Sequence, residues 1–517
     1  AESSGRAIVD AVSGMTAKTS TSATEFDDEA LTAAITALRR EFDDARGGFG
    51  GAPKFPPAMT LEHLLRHHAR TGDADAFAMA ERTCEAMARG GMYDQLDGGF
   101  ARYSVDAAWV VPHFEKMLYD NAQLLRVYAH LWRATGSAPA RRVTVETAEF
   151  MLRRLLTDEG AFASALDADT DGVEGLTYAW TPAQLVEVLG DEDGARAARL
   201  LEVTPHGTFE HGSSVLQLLT DPDDAARFEQ VRAKLMAARA LRPQPGRDDK
   251  IVTAWNGFAI TALAEASVAL GKPEFLAAAT GCARRLLDLH LVDGRLRRAS
   301  LGGVVGDSVG ILEDYAALAT GLLTLHQVTG DDSWLTAAHG LLDTALTHFA
   351  DPDRGGRWFD TADDAEALLV RPADPVDGAT PSGASLVAEA LLTFAHLAAE
   401  PERYLDAAAA TLASATPILA RSPRGGGHWL AVTEAAVRGP IQIAVACTGP
   451  DSELLGAARR FAPGGAIVVG GAEGSSTLLD GRGRVHGQDA AYVCRGQACD
   501  LPVTTAGDLG AALGAAV

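Results

Sequence analysis

The chain has 517 residues and carries 69 acidic against 45 basic side chains, a formal charge of −24, which argues against nucleic acids and anionic membrane surfaces as partners. Hydrophobic residues make up 47% of the chain, enough for a large core, and no apolar stretch is long enough to span a membrane. The N-terminus has no secretory signal pattern and the five cysteines are too few for a disulfide scaffold, so we expect a cytoplasmic protein.

The first part of the chain is predicted to form helices joined by glycine-rich loops. Residues 1–25 contain a small and polar segment and predict a linker or the tail of a preceding domain. Helices are predicted over 27–44, 61–70, 74–89 and 112–135. The stretch 90–124 mixes charged and aromatic side chains, which is typical of a loop that lines a polar pocket and leads into a helix. In that helix His113, Lys116 and Asp120 would share one face.

Three later helices are apolar on nearly every face, and each is followed by a helix with one polar face. The apolar helices are predicted over 251–270, 311–328 and 382–399, and the amphipathic ones over 273–291, 333–349 and 401–420. A helix without a polar face must be enclosed, whereas a helix with one lies at a surface. Glycine-rich turns recur between these helices, so the pattern predicts concentric rings of helical hairpins over 26–430.

The composition changes after residue 430. Residues 441–449 and 466–471 predict strands on either side of a short helix, and a third strand at 490–496 and a last helix from Ala506 follow. We therefore expect a small α/β segment over 431–517. Cys494 and Cys499 form a C-x4-C pair without a second pair or a nearby histidine, which is too little for a zinc site. We expect no metal and no cofactor.

Polar clusters precede or open four of the predicted helices, and these clusters meet at one rim if the inner helices run parallel. Carboxylates accept hydrogen bonds from hydroxyl groups and aromatic faces pack on sugar rings, so such a rim suits a polyhydroxylated ligand. The candidate catalytic residues are His113, Glu115, Asp169, Asp249, Glu313 and Asp314, with His113 as the leading acid/base. The candidate substrate-binding residues are Asp94, Asp97, Arg102, Tyr103, Trp109, Asn121, Asp167, Lys250, Trp255, Asn256, Tyr315, Asp377 and Ser382.

Several long motifs together resemble one known family. They are GGFGGAPKFP (47–56), the whole of 90–124, SALDADTDGVEG (164–175), RPQPGRDDKIVTAWNGF (242–258), LEDYA (312–316) and DGATPSGAS (377–385). They resemble the YyaL-like family, bacterial relatives of the spermatogenesis-associated thioredoxin-domain proteins. The resemblance implies a six-hairpin glycosidase-like (α/α)6 toroid, similar to N-acylglucosamine 2-epimerases, preceded by a thioredoxin-like domain. This chain has no C-x-x-C before Cys84, and we expect its start to be the closing segment of that missing domain.

Two functions of different classes remain open at this point. The first is a carbohydrate-active or sugar-binding toroid of the epimerase, isomerase or glycosidase type. A glycosidase would need two carboxylates ~5–5.5 Å apart for retention or ~6.5–9.5 Å apart for inversion. The second is a non-catalytic binding or scaffold protein whose chemistry, including redox chemistry, lies in the missing thioredoxin-like domain. Convergence of a histidine and a carboxylate, or of two carboxylates, favours the first.

Overall fold

The computed structural model describes residues 27–419, 421–496 and 498–514, so the predicted linker over 1–25 lies outside the described residues. The chain before the α/β segment is built mainly of helices. In chain order they are α1 (Asp28–Glu41), α2 (Ala58–Thr71), α3 (Ala74–Arg89), α4 (Leu118–Thr135), α5 (Ala138–Phe150, followed by a π-helical turn at Met151–Leu155), α6 (Pro182–Leu189), α7 (Asp191–Leu200), α8 (Ala225–Ala240), α9 (Thr253–Leu270), α10 (Pro273–Leu289), α11 (Leu312–Thr329), α12 (Asp332–His348), α13 (Gly383–Ala395), α14 (Glu402–Leu419) and α15 (Gly427–Ala436).

Six of these helices form a closed inner ring in the order α2, α4, α9, α11, α13 and α15, and α15 packs back against α2. Helices α9, α11 and α13 are buried on almost every face, as their apolar sequences predict. Helices α1, α3, α5, α10, α12 and α14 form the outer layer and bury one stripe each, which in α1 consists of Leu31, Ala34, Ile35 and Leu38. The predicted (α/α)6 toroid is confirmed.

The inner helices all run in the same direction. Their first turns lie around one cavity, and their last turns lie at the opposite end of the ring. Met59, Pro381 and His428 line a cavity of about 540 Å³ near the helix starts. Arg133 and Gln327, near the ends of α4 and α11, line a second cavity of about 880 Å³. We call the end at which the inner helices begin the mouth, and the end at which they finish the base.

Short strands are formed by the loops that precede or follow the inner helices. They are β1 (Tyr103–Ser104), β2 (Pro112–His113), β3 (Lys116–Met117), β4 (Ala165–Leu166), β5 (Asp169–Thr170), β6 (Val173–Glu174), β7 (Arg247–Asp248), β8 (Ile251–Val252), β9 (Leu291–Val292), β10 (Arg295–Leu296), β11 (Ala299–Leu301) and β12 (Val304–Val305). All of their pairings are antiparallel: β1 with β2, β4 with β3 and β7, β5 with β6, β11 with β8 and β12, and β9 with β10.

The predicted start of a helix at Pro112 is wrong. His113 pairs with Tyr103 in β1, and Lys116 pairs with Leu166 in β4. Because the backbone of 112–117 makes these pairings with neighbouring loops, α4 begins only at Leu118. His113 and Lys116 therefore share no helix face with Asp120. For the same reason α9 begins two residues later than predicted, since Ile251 and Val252 pair with β11.

An insertion between α5 and α9 carries α6, α7 and α8. These helices enclose an apolar core of their own, which includes Trp180, Leu185 and Leu235. Thr181 caps α6 together with Gln184 in a reciprocal capping box.

The C-terminal segment is a small α/β unit. Strands β13 (Ile441–Ala446), β14 (Ile467–Gly471), β15 (Ala490–Arg495) and β16 (Ala498–Cys499) form one sheet in the order β14-β13-β15-β16, with helices α16 (Glu453–Phe461) and α17 (Ala506–Leu513). The predicted boundary at residue 430 falls inside α15, the last inner helix. Cys494 and Cys499 are joined by a disulfide, whereas Cys84, Cys282 and Cys447 are buried free thiols. Among the described residues no helix combines the length and apolarity that a membrane crossing requires.

Candidate functional site

Two asparagines hold the glycine-rich loops against the inner ring. Asn121 in α4 accepts a hydrogen bond from Phe100 N (2.7 Å) and donates one to Phe100 O (3.0 Å). Asn256 in α9 makes the same two bonds with Phe162, at 2.8 and 3.0 Å. Both amides are fully buried, so the structure places these two candidate binding residues as braces of the loops that enter the mouth.

The candidate residues at the starts of α11 and α13 also bond within the protein. Asp314 accepts hydrogen bonds from Ile311 N (2.9 Å) and Ala254 N (3.0 Å), and Arg298 lies 2.7 Å away. Burial raises the pKa of Asp314 to about 7, against the opposing charge of Arg298. The Tyr315 hydroxyl accepts a hydrogen bond from Leu296 N (2.9 Å).

Asp377 connects the starts of α13 and α15. It accepts hydrogen bonds from Ser382 N (2.9 Å), the Ser385 hydroxyl (2.9 Å) and His428 N (2.9 Å). Burial raises its pKa. Ser382 caps α13 by accepting from Ser385 N. These contacts fix the relative positions of two inner helices.

Charged and aromatic side chains meet at the mouth where the 90–124 stretch reaches α4. We call this group the mouth cluster. It consists of Phe55, Arg102, Tyr103, His113, Glu115, Tyr119, Asp120, Glu174 and Trp255. Ring centroids lie 4.9 Å apart for Phe55 and Tyr103, 5.0 Å for Tyr103 and His113, and 4.8 Å for Tyr119 and Trp255.

The mouth cluster contains a histidine between two carboxylates. His113 Nδ1 lies 2.7 Å from Glu174 Oε1, and His113 Nε2 lies 3.9 Å from Glu115 Oε2. The His113 ring stacks on Tyr103, and its side chain is 30% exposed. The bond to Glu174 fixes the orientation of the imidazole and leaves Nε2 available to a ligand, which is the arrangement a general base requires.

Asp120 supplies a carboxyl group of a different kind. It is 5% exposed, and its Oδ2 has no hydrogen-bond partner among the described residues. Arg102 Nη1 lies 3.5 Å away. Burial raises the pKa of Asp120 to about 8 against the opposing charge of Arg102, and the charge of Glu115 adds to the rise. Asp120 is therefore mostly protonated at pH 7 and has an O–H to donate.

Five of the candidate residues from the sequence, Arg102, Tyr103, His113, Glu115 and Trp255, meet in the mouth cluster. Four members were not among the candidates: Phe55, Tyr119, Asp120 and Glu174. Glu174 lies opposite the candidate Asp169 in the β5–β6 hairpin, so the acidic loop indicated the right hairpin. Asp120 was one of several charges in the 90–124 stretch, and the sequence contained no sign of its burial.

The remaining candidates lie elsewhere. The side chain of Asp94 is buried between Lys116 (2.8 Å) and Arg239 (2.8 Å), and Asp97 bonds to Arg153 and Arg154. Trp109 is buried and donates to Arg46 O, whereas Asp167 and Asp169 are exposed. Asp249 and Lys250 are exposed and pair with Arg247 and Asp248. Glu313 pairs with Arg298 at 3.1 Å, and its Oε1 has no partner among the described residues.

A second charged cluster, which the sequence analysis missed, lies in the interior of the ring. We call it the axial cluster. It consists of Glu62 and Arg66 from α2, Arg126 and His130 from α4, Glu265 from α9, Glu389 from α13, and His428 from α15. Glu265 and Glu389 are the only charged residues of α9 and α13. A lone charge in an otherwise apolar helix was the available signal, because buried charges need partners.

Most charges of the axial cluster are paired. Arg66 bonds to Glu62 (2.6 Å) and Glu389 (3.0 Å), and Arg126 makes two bonds to Glu265 (2.8 and 2.9 Å). Burial would lower the pKa of His130, but Glu62 and Glu265 raise it. These ion pairs connect the inner helices with one another. Four members of the axial cluster also line the cavity near the helix starts: Glu62, Arg126, Glu389 and His428.

The sequence matches curated relatives along most of its length. It is 32% identical to spermatogenesis-associated protein 20 of Mus musculus over 529 residues, covering 90% of this chain and 66% of that protein. The Homo sapiens protein of the same name is 31% identical, covering 90% and 67%. An uncharacterized protein of Caenorhabditis elegans is 30% identical, covering 89% and 70%. The chain thus spans about two thirds of the length of these relatives. No family model matches the chain.

Two solved structures resemble the chain in fold. A D-mannose isomerase aligns with a TM-score of 0.50 and 13% identity, covering 75% of this chain and 86% of that one. An unsaturated glucuronyl hydrolase specific for heparin aligns with a TM-score of 0.49 and 13% identity, covering 79% and 96%. At 13% identity the likeness to the isomerase shows a shared helical toroid and nothing about the reaction.

Proposed function

We propose that this chain, which belongs to the family of spermatogenesis-associated protein 20, interconverts sugars as an isomerase or epimerase at the mouth of its ring. One observation carries the proposal. The mouth cluster contains a histidine whose Nε2 makes no hydrogen bond among the described residues and a buried carboxyl group that is mostly protonated at pH 7. The proposal concerns the activity of this chain alone.

The proposed reaction moves a proton beside a carbonyl group. His113 Nε2 takes the proton from the carbon next to the carbonyl, and Glu174 stabilises the imidazolium through Nδ1. Asp120 donates its O–H to the carbonyl oxygen, on which negative charge develops as the proton leaves. For the isomer, His113 returns its proton to the former carbonyl carbon while the hydroxyl group on the neighbouring carbon gives its proton to Asp120. For the epimer, water protonates the original carbon from the other face and is reprotonated by His113, while the hydroxyl group that Asp120 formed returns its proton to Asp120.

The aromatic rings of the mouth cluster supply the surface on which a sugar would bind. Tyr119 and Trp255 form an edge-to-face pair, and Tyr103 stacks on His113. Aromatic faces pack on the C–H faces of sugar rings, while Glu115 and Arg102 offer an acceptor and donors for hydroxyl groups. The D-mannose isomerase is a helical toroid of similar fold that acts on a sugar. Free aldoses and ketoses are therefore the first substrates to test.

Solvent exchange tests the reaction class across many sugars at once, so the substrate need not be identified first. The purified chain is incubated in D2O with a panel of aldoses and ketoses, and deuterium at the carbon beside the carbonyl is followed by proton NMR. We expect exchange with at least one sugar, and a loss of about 10²-fold or more in His113→Gln and Asp120→Asn. The control His339→Gln removes a histidine on the outer helix α12 and should exchange at the wild-type rate.

Other outcomes of the same screen would contradict the proposal. Release of reducing ends from oligosaccharides without exchange would assign the mouth cluster to glycoside hydrolysis, with Asp120 as the acid. Sugar binding without any turnover would make the ring a binding protein. Exchange that persists in both His113→Gln and Asp120→Asn would locate the chemistry outside the mouth cluster.

A further inference from the structure

The second cavity lies at the base of the ring, where the α/β segment covers the ends of the inner helices. It has a volume of about 880 Å³ and is lined by residues of α4, α9, α11 and α13 and, from the α/β segment, by residues 459–460, 462–466 and Val468. Arg133, Arg459 and Arg460 all line this base cavity. It is separate from the mouth cluster, none of whose members lines it.

These three arginines have no carboxylate partner in the part of the chain that the structure describes. No Asp or Glu oxygen among the described residues lies within 4 Å of any of them. Arg133 donates to Phe461 O (2.8 Å), and Arg459 donates to Gln327 O and Val328 O. The Nε atoms of Arg133 and Arg459 are buried and have no hydrogen-bond partner among the described residues. Unpaired guanidinium groups are unexpected in a chain with a formal charge of −24.

The carboxylates that also line the base cavity are already neutralised. Arg126 holds Glu265 through two hydrogen bonds, and Arg66 holds Glu389. Burial lowers the pKa of Arg133 to about 10, which still leaves the guanidinium charged at pH 7. The base cavity therefore carries an excess of positive charge.

Capping of helix ends explains only part of this arrangement. The carbonyl groups that Arg133 and Arg459 contact lie at the C-terminal ends of α16 and α11, where cations are favourable. Capping does not use the Nε atoms, and it does not involve Arg460. Arg460 is exposed, makes no hydrogen bond among the described residues and lies over the Phe461 ring at 4.4 Å.

We propose that the base cavity binds a small molecule through an oxyanion, either a phosphate or a carboxylate group, held by Arg133, Arg459 and Arg460. Guanidinium groups bind both anions through paired N–H donors. The site shares no residue with the mouth cluster, so anion binding can be tested independently of sugar turnover. Because the ring and the α/β segment both contribute arginines, the bound anion would connect the two parts of the chain.

Titration calorimetry tests this site with two probes, inorganic phosphate and succinate, at constant ionic strength set by sodium chloride. We expect one of the two anions to bind at a single site. Arg459→Gln and Arg460→Gln should each weaken binding about tenfold or more. Arg40→Gln, which removes an exposed arginine of α1, should leave it unchanged.

Arg460→Gln separates loss of binding from loss of folding, because Arg460 is exposed and makes no hydrogen bond among the described residues. Its melting temperature without anion should equal that of the wild type. Two results would overturn the proposal: neither phosphate nor succinate binds beyond the chloride background, or both glutamine variants bind the anion as tightly as the wild type does. Phosphate binding alone would identify a phosphorylated ligand, and succinate binding alone a carboxylate.

Discussion

Replacing Asp120 by Asn should stabilise the protein at neutral pH while it lowers the activity by about 10²-fold or more. The substitution keeps the size and shape of the side chain and removes its ionisation. Asp120 is buried in the mouth cluster, where its Oδ2 has no hydrogen-bond partner among the described residues and Arg102 Nη1 lies 3.5 Å away. An ionised carboxylate there is unfavourable, whereas a neutral amide carries no such penalty.

The magnitude follows from the shift in the pKa of Asp120. Burial raises this pKa from 3.8 to about 8. A carboxyl group with a raised pKa contributes stability that is fully present below its unfolded pKa and is lost as the pH rises towards its folded pKa. At pH 7 the loss is about 4 kcal/mol, from about 1.4 kcal/mol per pKa unit. Local relaxation reduces it, so we expect Asp120→Asn to gain about 2–4 kcal/mol at pH 7 and almost nothing at pH 3.5.

Urea unfolding at pH 3.5, 5.5 and 7 measures this gain. Asp94→Asn is the matched control. Asp94 is as deeply buried, but Arg239 and Lys116 overcome the effect of burial and hold its pKa well below the usual range. Loss of the ionised Asp94 carboxylate in Asp94→Asn should therefore destabilise the protein at pH 7. The reasoning is refuted if Asp120→Asn is neutral or destabilising at pH 7, or if its gain is equally large at pH 3.5.

Two further predictions concern the loops that hold the ring. Asn256→Ala leaves the Phe162 N–H and C=O without partners and should lower the free energy of unfolding in urea by about 2–5 kcal/mol; a loss below about 1 kcal/mol would show that the loop is held by other contacts. In Gly464→Ala the new Cβ would lie 2.2 Å from Glu62 Oε1, so the melting temperature should fall by several degrees. The control Gly456→Ala meets open space in α16 and should be neutral or stabilising; equal melting temperatures in the two variants would contradict the close approach of this loop to the ring.

The helical toroid could be predicted because its signal is carried by whole helices. Thr253–Leu270 and Leu312–Thr329 are apolar on nearly every face, and such helices have to be enclosed by others. The start of α4 could not be predicted in the same way. Pro112 and the residues after it are compatible with a first helical turn, and only their pairing with β1 and β4, the latter from a loop about 50 residues further on, makes them strands.

The candidate site was predictable where its residues are neighbours in sequence. His113 and Glu115 come from one stretch, and the mixture of charges and aromatic rings there marked it as unusual. Glu174 comes from a hairpin 61 residues away from His113, and no feature of the sequence relates the two positions. The depth at which Asp120 is buried, which sets its pKa, is likewise a property of the closed ring and not of the stretch itself.

The roles of Asn121 and Asn256 are a related case. Both occupy the fourth residue of an inner helix, counted from Leu118 and Thr253. An asparagine in a polar cluster is a reasonable candidate for binding a ligand. Its recurrence at the same position of two successive inner helices is the sign of a repeated structural brace, but this position becomes visible only when the structure gives the start of α4.

A crystal structure of the chain with sorbitol, a polyol that lacks a carbonyl group and cannot react, would test the location of the proposed site most directly. We expect the polyol to lie in the mouth cluster, with hydroxyl groups within hydrogen-bond distance of His113 Nε2 and Asp120 Oδ2 and its carbon chain against the Trp255 ring. Sorbitol bound in the base cavity, or anywhere out of reach of both His113 and Asp120, would contradict the assignment of sugar chemistry to the mouth.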